Sequence, residues 1–432
     1  MSTLRSRIAE TFRRILERGN DGVWISLVSE EEVMKRAEEL ETDSRDLPLK
    51  GQTFAIKDNI DLAGLPTTAA CPAFAYTPSE SAFVVRRLID AGAVPIGKTN
   101  LDQFATGLNG TRSPYGFPCN FYDPAYISGG SSSGSAIAVA AGLVDFALGT
   151  DTAGSGRIPA AFNNLVGFKP TRGSWSTNGL VPACRTLDCI TVLAKTLDVA
   201  IQIDQVARCF DPADPYSRNP LDAAPPALRR IGVLPNDERE FFGDDEYARL
   251  YGRAVERAAA LGWSVSEFDY RPFREAANLL YSGPWVAERY SAAKAIIETN
   301  PNAVHPVVRA VILSARNFSA VDAFEAQYRL AHLARKSERI WHSFDALMLP
   351  SAGTIYTIEQ MMADPIQLNT NLGRYTNFMN LLDLCGVAVP AGFRSDNIPF
   401  GVTFFAQAWA DALLFDLARE FESRSGHAEA ER

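Results

Sequence analysis

Histidine is scarce in this 432-residue chain: there are four, at 305, 332, 342 and 427. Three stand in charged, helix-patterned surroundings and the last in a polar tail, so a serine–histidine–acid catalyst has no histidine in an obvious strand-end loop. Cysteine is thin as well. The six, at 71, 119, 184, 189, 209 and 385, are scattered, with no CxxC pair and no histidine at ligand spacing, which reads as free cytosolic thiols rather than a disulfide scaffold or a zinc site. No run of lysine or arginine interrupts a chain of net charge -9, which argues against a nucleic-acid partner. Long apolar runs are missing too. Pro124–Val144 carries no charge and has the length of a membrane span, but its GGSSSGS core is too polar for a lipid-facing helix. The N-terminus alternates charge with apolar residues and lacks the core of a signal peptide. A cytoplasmic protein without a membrane is the expectation.

What is present suffices for a large core: 47% hydrophobic residues and 25 Phe. Helical patterning covers 5–18 and 29–41, and Thr53–Ile56 reads as a buried strand with Lys57 at its end. Phe83–Ala91 reads as an amphipathic helix, Val94–Gly97 as a short strand, and the small apolar stretch Ala136–Leu148 as a helix packed on a sheet. This alternation predicts an α/β sheet protein. Residues 211–226, rich in Pro and Asp, form the clearest loop; Arg230–Leu234 is a strand candidate, 245–261 and 320–343 are long helical patterns, and a polar tail begins at Arg424.

Two motifs match patterns whose context they lack. Gly92–Thr99 fits GxxxxGK[ST], but a P-loop needs a strand before its first glycine and a helix after its lysine. Here a helix comes first, Val94–Gly97 is itself the strand, and Pro95 removes an N–H from the supposed cradle. Gly130–Gly134 fits GxSxG around Ser132, without the downstream histidine. What remains is Lys57 after an apolar strand, Ser131–Ser133 between glycines, and Ser155 in GTDTAGSGRIP. A lysine desolvated enough to be neutral can serve as base to a serine, and a second hydroxyl can relay the proton because it both donates and accepts. Glycines near Ser155 let consecutive N–H groups converge on one point, as an oxyanion hole requires. On composition alone, Gly/Ser loops of this kind are more often ordinary turns.

The stretch from Lys57 through GGSSSGSAIAVAAG to GTDTAGSGRIPAAFNNLVGFKPTRG resembles the amidase signature family, over about Gly51 to Asp198 and more weakly along the rest. The resemblance implies an α/β/α sandwich whose large mixed sheet is mostly parallel and covered by helices. It implies Ser155 as nucleophile, Ser131, 24 residues earlier, as the cis-serine relay, and Lys57 as general base. The N–H groups of Thr152, Ala153, Gly154 and Ser155 would form the oxyanion hole, with Asp151 and Arg157 bracing the loop. It divides the chain into an N-terminal helical segment (1–48), a signature core (49–210), the loop 211–226, a C-terminal part of the same domain with pocket helices (227–423) and the tail (424–432).

WISL, NIDLAGLPTTAACPAF, GKTNLDQFATGLNGTRSPYG and YSGPWVAERY resemble the allophanate-hydrolysing branch of the family. That implies cleavage of the C–N bond of allophanate (urea-1-carboxylate), with ammonia release through an acyl-enzyme. The substrate is then a small anion, and a chain of net charge -9 needs a local cation to hold it. Tyr281 and Arg289 match the residues that bind the carboxylate in this branch; eight residues apart, they would share one helix face about two turns apart. Gly107 could offer a backbone contact and Asn109 could face the site, while Tyr126 fits a pocket wall or plain core alike. Related activities stay open: a carboxybiuret hydrolase, or an amidotransferase-type subunit passing ammonia to a partner. The resemblance further suggests a homodimer. Many relatives carry a further C-terminal domain linked to decarboxylation, so deamination is expected here and decarboxylation elsewhere or spontaneously, from a shortened chain or a natural single-domain form. Nothing in the sequence requires a metal or cofactor, and whether the substrate comes from urea or from s-triazine breakdown is not encoded.

Overall fold

The computed structural model describes residues 3–221 and 229–423. In these, eleven strands form one sheet: β1 (Trp24–Leu27), β2 (Thr53–Lys57), β3 (Val94–Thr99), β4 (Phe146–Asp151), β5 (Val166–Lys169), β6 (Cys189–Ala194), β7 (Arg230–Val233), β8 (Ser264–Glu267), β9 (Ala346–Pro350), β10 (Leu384–Phe393) and β11 (Pro399–Gln407). Their order is β1-β3-β2-β4-β6-β5-β10-β11-β9-β7-β8. The helices are α1 (Leu4–Arg18), α2 (Glu30–Thr42), α3 (Phe83–Asp90), α4 (Ser133–Ala140), α5 (Arg157–Phe162), α6 (Leu197–Ala207), α7 (Asp245–Ala260), α8 (Arg271–Ser282), α9 (Val286–Thr299), α10 (Pro306–Leu313), α11 (Ala320–Glu338), α12 (Ile358–Ala363), α13 (Gln367–Leu372) and α14 (Asp411–Ser423). No helix among the described residues is long and apolar enough to cross a membrane.

The central strands are buried on both faces, and their two-residue alternation feeds two cores. Phe54, Ile56, Phe146, Leu148, Ile190 and Val192 enter the larger one, where the Phe54 and Phe146 rings stack at 5.1 Å. Ala55, Val94, Ile96, Ala147 and Leu193 point the other way, against α1, α2 and α4. Every residue of α4 (SGSAIAVA) is buried; its small side chains let the helix lie close on the sheet.

The sheet is mixed, as expected, but not mostly parallel. Six of its ten strand pairings among the described residues are antiparallel. The alternation of helix and strand suggested crossovers, yet β10 and β11 are joined by a short turn and β5 returns to β6 without an α-helix between them. Such connections reverse the chain direction. The expected helix Ala136–Leu148 is also corrected: α4 stops at Ala140, Gly142 adopts a positive φ, and the second half becomes β4. Short apolar runs of this kind do not separate strand from helix by periodicity. The N-terminal segment adds a strand that helical patterning had passed over, β1, antiparallel to β3.

The Pro/Asp-rich loop is described through residue 221; its remainder, like the tail from 424, lies outside the described residues. Its first part is pinned down. Asp211 accepts from Ser176 Oγ at 2.7 Å and Asp214 from the Thr177 N–H at 2.6 Å. The long helical pattern 320–343 is α11 followed by a single turn of 3-10 helix at Ile340–His342.

Candidate active site

Lys57 closes β2, an inner strand of the sheet, with no exposed surface. Its Nζ donates to Ser131 Oγ and to Thr150 Oγ1, both at 2.7 Å. Burial pulls the amine down to about 7, against the opposing field of Asp102, Asp188 and Asp151; Arg289 pushes the same way as burial. Half of the ammonium's usual protonation is therefore lost near neutrality. Ser131 begins the tight turn before α4, after a cis Gly130–Ser131 bond. The decoy Ser132 points elsewhere, its Oγ at 3.3 Å from the Thr150 carbonyl, and its N–H donates to the Ser155 carbonyl, tying the two serine turns together.

Ser155 lies in the turn between β4 and α5, 2% exposed. Its Oγ faces the Gly107 carbonyl oxygen at 3.5 Å and makes no hydrogen bond to Ser131 among the described residues. Asp151 braces this turn as expected. It accepts from Arg157 Nε and Nη2, both at 2.9 Å, and from the N–H groups of Gly154 and Gly156 at 2.8 and 3.2 Å. Burial works against the Asp151 charge, but the Arg157 guanidinium, Lys169 and the Gly156 N–H hold its carboxyl below the ordinary value. Of the N–H groups expected to form the oxyanion hole, that of Gly154 donates to Asp151, whereas those of Thr152, Ala153 and Ser155 have no acceptor among the described residues.

Tyr281 and Arg289 do meet, though not on one helix face. Tyr281 belongs to the end of α8 and Arg289 to α9, with Gly283 and Pro284 breaking the chain between them. The two side chains turn back on each other: Arg289 Nη2 donates to Tyr281 Oη at 3.1 Å, and its guanidinium carbon sits 4.9 Å from the ring centroid. Arg289 is 2% exposed, and its Nη1 donates to the Ala105 carbonyl and to Thr106 Oγ1 at 3.2 and 3.0 Å. No carboxylate among the described residues pairs with it, and its Nε has no partner there. Burial opposes its charge, yet Tyr281, Cys184, Asp188 and Glu288 together keep its pKa above the usual value. Burial in turn pushes the Tyr281 hydroxyl up.

Thr106 joins the two halves, since the next residue is Gly107, whose carbonyl faces Ser155. That loop is organised by Asp102, which sequence reasoning did not single out. Its carboxylate accepts the N–H groups of Asn109, Gly110 and Arg112 at 3.3, 3.0 and 3.0 Å. A Cβ on Gly107 or Gly130 would stand 2.5 or 2.3 Å from Asp102 Oδ2, so only glycine fits at either place. The Asn109 side chain is held within the same loop region: its amide donates to Asn369 at 2.9 Å and its oxygen accepts from Thr111. Tyr126 packs against the larger core, its hydroxyl at 3.2 Å from Asp396 with Arg394 against its ring. Two further groups went unnoticed in the sequence. Thr150 holds Lys57 alongside Ser131, each accepting from its Nζ. Asp188, pushed up to about 6 by burial, accepts from Thr152 Oγ1 and the Ala183 N–H. An acid followed by a glycine-rich loop is a signal that could have found Asp102; a single acid inside an apolar run gives none for Asp188.

The amidase family model matches residues 7–415. A urea amidolyase of Lachancea kluyveri is 45% identical over 411 residues, 93% of this chain and 22% of that protein, so the chain spans about a fifth of the length of such relatives. The structure of Kluyveromyces lactis allophanate hydrolase superposes with a TM-score of 0.92 at 42% identity, covering 98% of this chain and 70% of that one. A glutamyl-tRNA(Gln) amidotransferase subunit of Symbiobacterium thermophilum is 32% identical, covering 93% of this chain and 90% of that one. With the family model matched across the sheet and everything around Lys57, Ser131 and Ser155, the chain belongs to the amidase family.

Proposed function

We propose that the chain hydrolyses allophanate, releasing ammonia through an acyl-enzyme on Ser155. The observation that carries the reading is the buried Lys57–Ser131 hydrogen bond with an amine titrating near 7. A neutral Lys57 takes the Ser131 proton as Ser131 takes that of Ser155, once the Ser155 hydroxyl turns from Gly107 toward Ser131. Ser155 Oγ bonds to the carbonyl carbon of the terminal amide, and the oxygen gains charge facing the N–H groups of Thr152, Ala153 and Ser155. The proton held on Lys57 returns through Ser131 to the leaving nitrogen, and ammonia departs. Water, deprotonated by the same pair, then cleaves the ester and frees Ser155 with a dicarboxylated amine as product.

Arg289 and Tyr281 hold the substrate carboxylate. A buried guanidinium without a carboxylate partner is costly unless an anion completes it, and a planar fork fits a carboxylate bidentately. Gly107 contributes its backbone, and Asn109, held in the same loop by Asn369 and Thr111, faces the substrate. The names of the relatives support this substrate, with loss of carbon dioxide from the product left to another domain, another protein or water. A homodimer and a cytoplasmic setting complete the reading. A second reading, an amidotransferase-type subunit, is favoured by the end-to-end similarity to the glutamyl-tRNA(Gln) amidotransferase chain, and it predicts co-purification with other subunits.

Ammonia release is measured from fresh allophanate, biuret, malonamate and an aliphatic amide, with Ser155→Ala as control. Turnover of allophanate that vanishes in the variant is the expected result. Turnover of neutral amides alone would keep the serine–lysine chemistry and discard the substrate; silence on all four would favour the second reading.

A further inference from the structure

Asp102 has no exposed surface and no ion-pair partner among the described residues. Its contacts are to backbone. The N–H groups of Asn109, Gly110 and Arg112 point at its carboxylate, and its own N–H donates to the Ser131 carbonyl at 3.2 Å. The Gly130 N–H donates to the Leu108 carbonyl at 2.8 Å, so the loop that faces Ser155 and the turn that carries Ser131 are tied together twice around this acid. Arg112 gives its guanidinium to the carbonyls of Thr106 and Pro365 rather than to Asp102. A buried carboxylate without a cation is costly. Among the acids whose field opposes the burial of Lys57, Asp102 acts more strongly than Asp188 or Asp151. Asp151 is already matched by Arg157, and Asp188 accepts from Thr152.

We propose that Asp102 is a positioning residue for the proton relay: its carboxylate holds the Gly107–Gly110 loop against the Ser131 turn and answers the positive charge that forms on Lys57 as Ser155 loses its proton. The inference rests on the reading of Lys57 as the base. Lys57 starts neutral and becomes an ammonium once the proton of Ser155 has passed through Ser131, in a site almost closed to bulk solvent. A neighbouring negative charge stabilises that state over the neutral amine. It also keeps the amine basic enough to take the proton. Without Asp102, burial and Arg289 pull Lys57 further down, and only Asp188 and Asp151 are left to oppose them. Two other titratable groups feel the Asp102 charge. Burial pushes the Tyr281 hydroxyl up, and burial with Arg112 holds His305 below its ordinary value, so both are largely neutral where Lys57 titrates.

The test is the pH dependence of kcat/KM for fresh allophanate in Asp102→Asn, a change that keeps the shape and removes the charge. The wild type rises through about 7. In the variant the midpoint falls to about 6 or below and the plateau is at least about 10-fold lower, because a weaker base takes the proton. Asn369→Ala loosens the same loop without altering charge, since its side chain accepts from the Leu108 N–H at 2.8 Å and the Asn109 amide at 2.9 Å. Its plateau falls while its midpoint stays near 7. Circular dichroism confirms folding, and Asp102→Ser takes the place of an Asp102→Asn chain that does not fold. An unchanged midpoint in the Asp102 variant, the same displacement in Asn369→Ala, or unfolding of both Asp102 variants overturns the inference and leaves Asp102 a residue of the fold. A wild-type profile that does not rise through about 7 removes the reading of Lys57 as well, so the two failures are distinct.

Discussion

An amine that titrates near 7 inside a protein is useful because both of its forms are populated where the enzyme works. The sign of the pH dependence follows. Lys57 must be neutral to accept a proton, so kcat/KM rises with pH through about 7 and levels off above it. A flat profile from about pH 6 to 9 would remove Lys57 from the role of base. Lys57→Ala lowers the rate by about 10²–10⁴-fold, the usual range for a lost general base. Across the Thr106–Gly107 segment from Ser155, Arg289→Lys keeps the charge but loses the fork that reaches Thr106 and Tyr281 together. Its KM for allophanate rises while hydrolysis of a neutral amide is spared; equal losses on both substrates would take Arg289 out of carboxylate binding. Lys57, the Ser131–Ser133 cluster and Ser155 stood out by residue type and, for the serines, by flanking glycines, while Ser131 itself was singled out by the resemblance to the amidase signature family. Thr150, Asp102 and Asp188 did not, because each acts through a fold contact that no local pattern announces.

Strands and turns place these groups, and the same sequence features are read differently once the elements are known. Lys98 is the lysine of the P-loop look-alike, yet it stands in β3 with no exposed surface, 3.2 Å from Asp58 and donating to Thr67 at 2.9 Å. Burial pulls the Lys98 amine down and pushes the Asp58 carboxyl up, each against the attraction of the other. Lys98→Met therefore strands a buried acid, which costs about 3–5 kcal/mol in urea denaturation; adding Asp58→Asn recovers part of the loss. ATP leaves the melting temperature of the wild type unchanged, and a nucleotide-dependent rise would revive the P-loop reading. β2, α3 and β3 were visible in the sequence because their patterns are local and bounded by turn residues. The direction of β5, β6, β10 and β11 was not visible, since pairing is decided by how the chain returns to the sheet rather than by any strand's own residues. The break between α8 and α9 was written in Gly283 and Pro284, and reading past it placed Tyr281 and Arg289 on one helix that does not exist.

At the scale of the whole molecule, a site made for chemistry weakens the fold that holds it. Lys57 titrates at 10.5 when exposed and at about 7 when buried, so between those values the unfolded chain binds a proton that the folded chain does not. Stability therefore rises with pH across that window, and the full penalty is felt below about 7. Replacing Lys57 by Met removes the penalty while filling much of the same space. The loss of hydrogen bonds to Ser131 and Thr150 offsets part of the gain, since each hydroxyl is left with one partner fewer. The expected outcome is an inactive protein that is more stable than wild type by a few kcal/mol at about pH 7, with the difference shrinking as the pH approaches about 10. Urea denaturation of both proteins at about pH 7, 8.5 and 10 measures it. A gap that does not change with pH would mean that the lysine is not desolvated in the folded chain, and the proton relay would lose its base.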